Sequence, residues 1–221
     1  MAALHDGRQY LIEKYALALI PSLQLFNPQP ITETKLEAVT VGLSQGRFDF
    51  APLAYVEQEL NQIELEIPAQ TLLNREFTTT NFKSKIRNSQ KSIVHVATHG
   101  QFSSKAEDTF ILAWDRPINV NQLNSVFQIR PELQNSLELL VLSACETATG
   151  DDRAALEIAG VALRSGARSA LASLWLVNDE STAQLMNHFY QQLNTGVTRG
   201  EALRRAQQTL LREPKYSHPR Y

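Results

Sequence analysis

The chain has 221 residues, a net charge of −2 and a single cysteine, with 43% hydrophobic and 20% charged residues. That suits one α/β domain, or at most two small ones, able to bury a core without disulfides or metals. The sequence shows no basic run, no stretch of about 18 apolar residues and no basic-then-apolar leader, so neither nucleic acid, a membrane span nor secretion is expected, and the lone thiol reads as belonging to a reducing, cytoplasmic setting.

In chain order, YALALIPS (15–22) is apolar and β-compatible, limited by Pro21. KLEAVTVGLS (35–44) reads as a buried strand closed by Gly42 and Gly46. PLAYVEQELNQIEL (52–65) carries Leu53, Val56, Leu60 and Ile63 at helical spacing, with Pro52 suited to the first helical position. TTTNFKSKIRNS (78–89) predicts a short helix with Phe82 and Ile86 on one face. SIVHVATH (92–99) is β-branched and apolar, hence a central strand, and TFILAWDRPINV (109–120) predicts two short strands around a turn at Trp114–Pro117. LELLVLSA (137–144) is the most apolar strand, a run that fits a parallel strand covered on both faces. AALEIAGVALRSGA (154–167) predicts a buried helix ending near Gly166, and RSALASLW (168–175) another strand. DESTAQLMNHFYQQL (179–193) is amphipathic, with Leu185, Met186, Phe189, Tyr190 and Leu193 on one side and Asp179 and Glu180 as its expected caps. Thr198 to Glu201 matches a capping box ahead of Leu203, Ala206, Leu210 and Leu211. Alternating strands and helices predict an α/β fold, with a mostly parallel sheet and helices on both faces.

Two residues could carry chemistry. His99 and Cys145 each sit just past an apolar strand. Ligands and catalytic groups gather at strand C-terminal ends in open parallel sheets. If those strands are neighbours, a thiolate and an imidazole that takes its proton stand together. Gly100 lets the backbone approach a substrate and, with the Cys145 N–H, could form an oxyanion hole. Taken singly, each residue reads more simply as structural: a buried small thiol, a satisfied strand-end histidine. The joint pattern is what carries the chemistry. His95 reads as a buried, hydrogen-bonded structural histidine. Two histidines at i, i+4 on a strand do not share a metal, and no further ligand cluster accompanies them, so neither metal nor cofactor is expected. In TATGDD, Asp151 or Asp152 either caps the following helix or lines a pocket that selects a basic side chain. Glu146 could orient a loop or hold a substrate, and Trp175 could form a pocket wall at the same edge.

VHVATHGQF, FILAWDRPINVNQL, LLVLSACETATGDDRAALEIAGVALRSGARSALASLW and the final EALRRAQQTLL…YSHPRY resemble the CHAT domain family over the whole chain. These are caspase-like domains, often fused to tetratricopeptide repeats and common in cyanobacteria and other bacteria. The 46 residues from His99 to Cys145 are also close to the roughly 50 that separate the two groups in caspases. The resemblance implies a caspase-haemoglobinase-like three-layer sandwich, and a cysteine endopeptidase acting through an acyl-enzyme without a cofactor. His99 would be the general base, Cys145 the nucleophile, and Gly100 with Cys145 the oxyanion donors. In such families the histidine can act chiefly by protonating the leaving group. The alternative is a catalytically silent interaction or scaffold module. Expected partners are a protein substrate or partner chain, a tetratricopeptide-repeat protein, or a separate N-terminal fragment. Three departures from the family pattern stand out. Met1 stands where an N-terminal portion would precede, the chain stops at SHPRY before a last strand, and Glu157 stands where Gly is expected. Residues 1–221 are therefore expected to be a single CHAT domain lacking those two pieces.

Overall fold

The computed structural model of the chain describes residues 5–18, 35–103, 108–127, 137–143, 146–147, 160, 166–173 and 177–217, and the elements are those of these residues. They run α1 (Leu11–Lys14), β1 (Ala38–Gly42), α2 (Val56–Glu66), β2 (Ala69–Leu73), a 3₁₀ turn (Asn74–Glu76), α3 (Thr79–Arg87), β3 (Ile93–Ala97), β4 (Gly100–Phe102), β5 (Phe110–Leu112) and β6 (Pro117–Asn119). Then follow α4 (Val120–Phe127), β7 (Leu139–Ser143), β8 (Glu146–Thr147), β9 (Ala170–Ala172), α5 (Asp179–Asn194) and α6 (Arg199–Arg212).

The main sheet has five strands in the order β2-β1-β3-β7-β9, all parallel. Its three central strands are buried at every position, as a sheet covered on both faces requires. Strand alternation divides their side chains between two cores. Val39, Val41, Val94, Val96, Leu140 and Leu142 pack with Phe82 and Ile86 of α3 and Leu123 and Phe127 of α4. Ala38, Ile93, Ala97, Leu139 and Val141 pack with Leu60 and Ile63 of α2, Phe189 and Tyr190 of α5, and Ala206 of α6. The result is the three-layer α/β arrangement expected, consistent with a caspase-like fold. A smaller sheet, β6-β5-β4-β8, continues from the ends of β3 and β7. At the opposite, N-terminal end of β7, Glu138 holds Arg168 at 3.1 Å and Arg199 at 2.5 Å, tying α6 to the sheet.

Three expectations need correction. α2 starts at Val56, four residues after Pro52, because residues 51–55 are held outside the helix by contacts described below. Tyr15 to Ala18 form no strand, and residues 19–22 of that stretch lie outside the described residues. β2 was not foreseen: Ala-Gln-Thr-Leu-Leu is only partly apolar because it borders the sheet beside β1 alone, where only Leu72 is buried. Of the expected helix 154–167, Gly160 is described, as helical, and Gly166 has φ +71, the left-handed conformation that ends helices. Thr198 caps α6 as expected, but the Glu201 carboxylate is taken by Arg204 and Arg205, which pull its carboxyl down to about 2.

Candidate active site

The C-terminal ends of the parallel strands converge where His99 lies. β3 and β7 are neighbours in parallel, with Ala97 opposite Ser143. Beyond them β4 and β8 pair in parallel, with Gln101 opposite Glu146. The two chain segments therefore run side by side before and after positions 99 and 145. Cys145 itself, like Asp151, Asp152, Glu157 and Trp175, lies outside the described residues, and Glu146 is described in backbone only.

His99 is fixed through both backbone and ring. Its carbonyl accepts the Leu112 N–H at 2.8 Å, while the preceding Thr98 donates its hydroxyl to the Leu112 carbonyl at 2.7 Å. Its Nε2 lies 2.8 Å from the Ala51 carbonyl oxygen. A carbonyl only accepts, so Nε2 carries the hydrogen, and in the neutral ring Nδ1 is left with the lone pair. One face of the ring leans on Phe50, with centroids 5.0 Å apart, and Phe50 in turn rests edge-on against Phe110 at 6.2 Å.

Gly100 is buried and pairs with Ile111. Because the bond at this rung runs from Leu112 N–H to the His99 carbonyl, Gly100 and Ile111 form the non-hydrogen-bonded kind of antiparallel pair. The Gly100 N–H consequently points away from β5, to the side where β8 runs.

The loop carrying Ala51 is held by three devices. Asn74, with φ +52, accepts the N–H groups of Ser44 and Gln45 at 2.9 and 3.1 Å, tying the loop to the end of β2. Arg47 to Phe50 form a tight turn closed by Phe50 N–H to the Arg47 carbonyl at 2.9 Å. Phe48 and Asp49 at its centre have φ +49 and +67, a strained conformation for a bulky residue such as Phe. Arg47 offsets that strain: its guanidinium stacks 4.2 Å from the Trp114 ring and donates to the Trp114 carbonyl at 3.1 Å.

Asp179 completes the constellation. Asn178 is the N-cap of α5, accepting the Ser181 N–H, so the capping expected of Asp179 falls one residue earlier. The Asp179 Oδ2 instead accepts the Tyr55 N–H at 2.8 Å, joining the start of α5 to the start of α2. Its Oδ1 is buried with no hydrogen-bond partner among the described residues. Burial pushes the Asp179 carboxyl up, and the Glu59 charge adds to this; the Tyr55 N–H and the nearby His99 oppose it. Ala51, Phe50 and Asp179 are the site residues that sequence reasoning missed. Ala51 acts through its backbone, which leaves no mark in a sequence. Asp179 had a signal, two acidic residues opening a helix, but that signal equally describes a cap.

His95 is fully buried, as expected of a structural histidine. Its Nε2 lies 2.8 Å from Glu59 Oε1 and its Nδ1 3.1 Å from the Tyr190 hydroxyl. Among the described residues, no group of three or more His, Cys, Asp and Glu side chains could hold a metal, and no helix is long and apolar enough to cross a membrane.

No curated protein matches the chain significantly. The family model for the CHAT domain matches residues 1–221, and the chain belongs to that caspase-like, peptidase-related family.

Proposed function

We propose that the chain is a cysteine endopeptidase domain in which Cys145 is the nucleophile and His99 moves the protons. The observation that carries this reading is the hydrogen bond from His99 Nε2 to the Ala51 carbonyl. It holds the imidazole in one tautomer, with Nδ1 as the base, as the carboxylate of a catalytic triad does for its histidine. The parallel registers on either side of positions 99 and 145 support the pairing of the two residues.

In this mechanism Nδ1 takes the thiol proton as the sulfur bonds to the carbonyl carbon of a peptide. The oxyanion accepts the Gly100 and Cys145 N–H groups, the first aimed by the β4–β5 pairing described above. The C–N bond breaks as Nδ1 returns the proton to the leaving amine. Water then adds to the thioester, giving its proton to Nδ1, and the acid leaves as the thiol is restored. Phe50 fixes the plane of the ring. The substrate is a protein chain met in the cytoplasm.

The test is covalent capture with peptidyl acyloxymethyl ketones bearing Arg, Lys, Asp or Leu at the cleavage position, mapped by mass spectrometry. Selective labelling of Cys145, lost in His99→Ala, is expected. Labelling by the Arg and Lys probes in particular supports a pocket in which Asp151 or Asp152 meets a basic side chain against Trp175; labelling by the others alone removes that pocket and leaves the peptidase. No labelling by any probe, in protein folded by circular dichroism, overturns the reading in favour of a silent scaffold.

A further inference from the structure

The buried Glu59–His95–Tyr190 network plays no part in the chemistry above, yet it is an expensive thing to keep. Glu59 and His95 are 1% and 0% exposed, and ionisable groups withdrawn from water are stabilising only when well paired. Glu59 Oε2 has no hydrogen-bond partner among the described residues. Well-packed apolar side chains of similar volume are often no less stabilising than such a buried pair.

The network joins three elements that lead to the surroundings of the working histidine: α2 follows the 43–55 loop that carries Ala51, α5 opens with Asp179, and β3 ends two residues before His99. Glu59 is in the first turns of α2, and its N–H donates to Tyr55, whose own N–H is held by Asp179. Tyr190 is on α5, the helix that Asp179 opens. His95 precedes His99 by four residues, about 13 Å of extended chain. Burial and the Glu59 charge hold the Tyr190 phenol protonated. The Glu59 carboxylate accepts the His95 Nε2–H, and the Tyr190 hydroxyl is bonded to His95 Nδ1, so both ring nitrogens are engaged. Such a set bonds in one geometry only, whereas apolar packing tolerates sliding.

We propose that the Glu59–His95–Tyr190 network is a positioning device that locks α2 and α5 onto β3 and so keeps the Ala51 carbonyl on His99 Nε2. It rests on the reading of His99 as the working histidine, and it acts through Ala51 and Asp179 rather than by touching substrate.

Two measurements on Tyr190→Phe and Glu59→Gln test it. Long-range proton–nitrogen correlation spectra report the His99 tautomer whether or not the protein is a peptidase. Wild type is expected to show the Nε2–H form, and both variants a mixture of tautomers with unchanged circular dichroism. If Cys145 labels, the maximal inactivation rate is expected to fall at least about tenfold while the concentration of probe giving half that rate stays within about twofold, a split that signals misplacement of the proton carrier. Should Glu59→Gln fail to fold, Tyr190→Phe, which removes one oxygen, decides. A folded Tyr190→Phe protein with the wild-type tautomer overturns the proposal, and does so even if no probe labels Cys145.

Discussion

Asp179 illustrates how a single residue's setting differs from its sequence context. Its carboxyl is pushed above its ordinary value chiefly by burial. Folding therefore favours the protonated form. The contribution is fully present below the ordinary carboxylate range and is lost as pH rises through the raised value, so at neutral pH the charge works against the fold. Asp179→Asn retains an acceptor for the Tyr55 N–H and removes the charge. Thermal melts across pH should show the variant equal to or more stable than wild type at neutral pH, with any gap closing as the pH falls through the carboxylate range. A variant clearly less stable at neutral pH would show instead that the carboxylate is net stabilising. At this scale the sequence was informative about polar side chains that follow an apolar strand. His99 with Gly100 stood out for that reason, and His95 was readable as buried because it alternates with Ile93 and Ala97. Ala51 was invisible because only its oxygen matters, and Asp179 was misread because a carboxylate opening a helix usually serves that helix.

Among the elements, the strands buried on both sides were readable, as was β9 at one border of the sheet, whereas β2 at the other border was not. β1, β3 and β7 are apolar or β-branched runs apart from His95 and the closing Ser143, whereas β2 sets Gln70 and Thr71 at its centre. α2 was legible in its buried face and illegible in its start. Pro52 permits a first turn, but Tyr55 N–H goes to Asp179 and the Ala51 carbonyl to His99, so tertiary bonds take the donor and acceptor that would close that turn. The close approach of α2 to β1 depends on Gly42. A Cβ there would stand 2.7 Å from Val56 Cγ1 and 2.8 Å from Leu60 Cδ1. Gly42→Ala should therefore cost about 1–3 kcal/mol by overpacking, read by denaturant unfolding, and should slow any labelling of Cys145 by displacing the start of α2. A substitution without effect on stability would mean that α2 sits less tightly on β1 than the contacts imply.

On the scale of the whole molecule the two ends of the sheet differ in character. The N-terminal end is strapped by ion pairs, with Glu138 to Arg168 and Arg199 and Glu37 to Lys91. The C-terminal end carries the left-handed residues Phe48, Asp49 and Asn74 and the loops around His99. Native-state hydrogen exchange should be slowest in β1, β3 and β7, which are bonded on both edges and buried on both faces, and faster in the β5–β6 hairpin and the 43–55 loop. Uniform protection across these regions would show that the smaller sheet and the loop open only when the whole domain does.

The bond from His99 to Ala51 has a consequence for anyone searching this protein by genetics. The Ala51 side chain faces solvent and takes no part in the contact, while the oxygen that does is shared by every amino acid. A scan that swaps one side chain at a time would pass over position 51 as unimportant. The dependence would surface at a distance, at positions such as Asn74, Arg47 and Trp114, whose side chains hold the loop in shape.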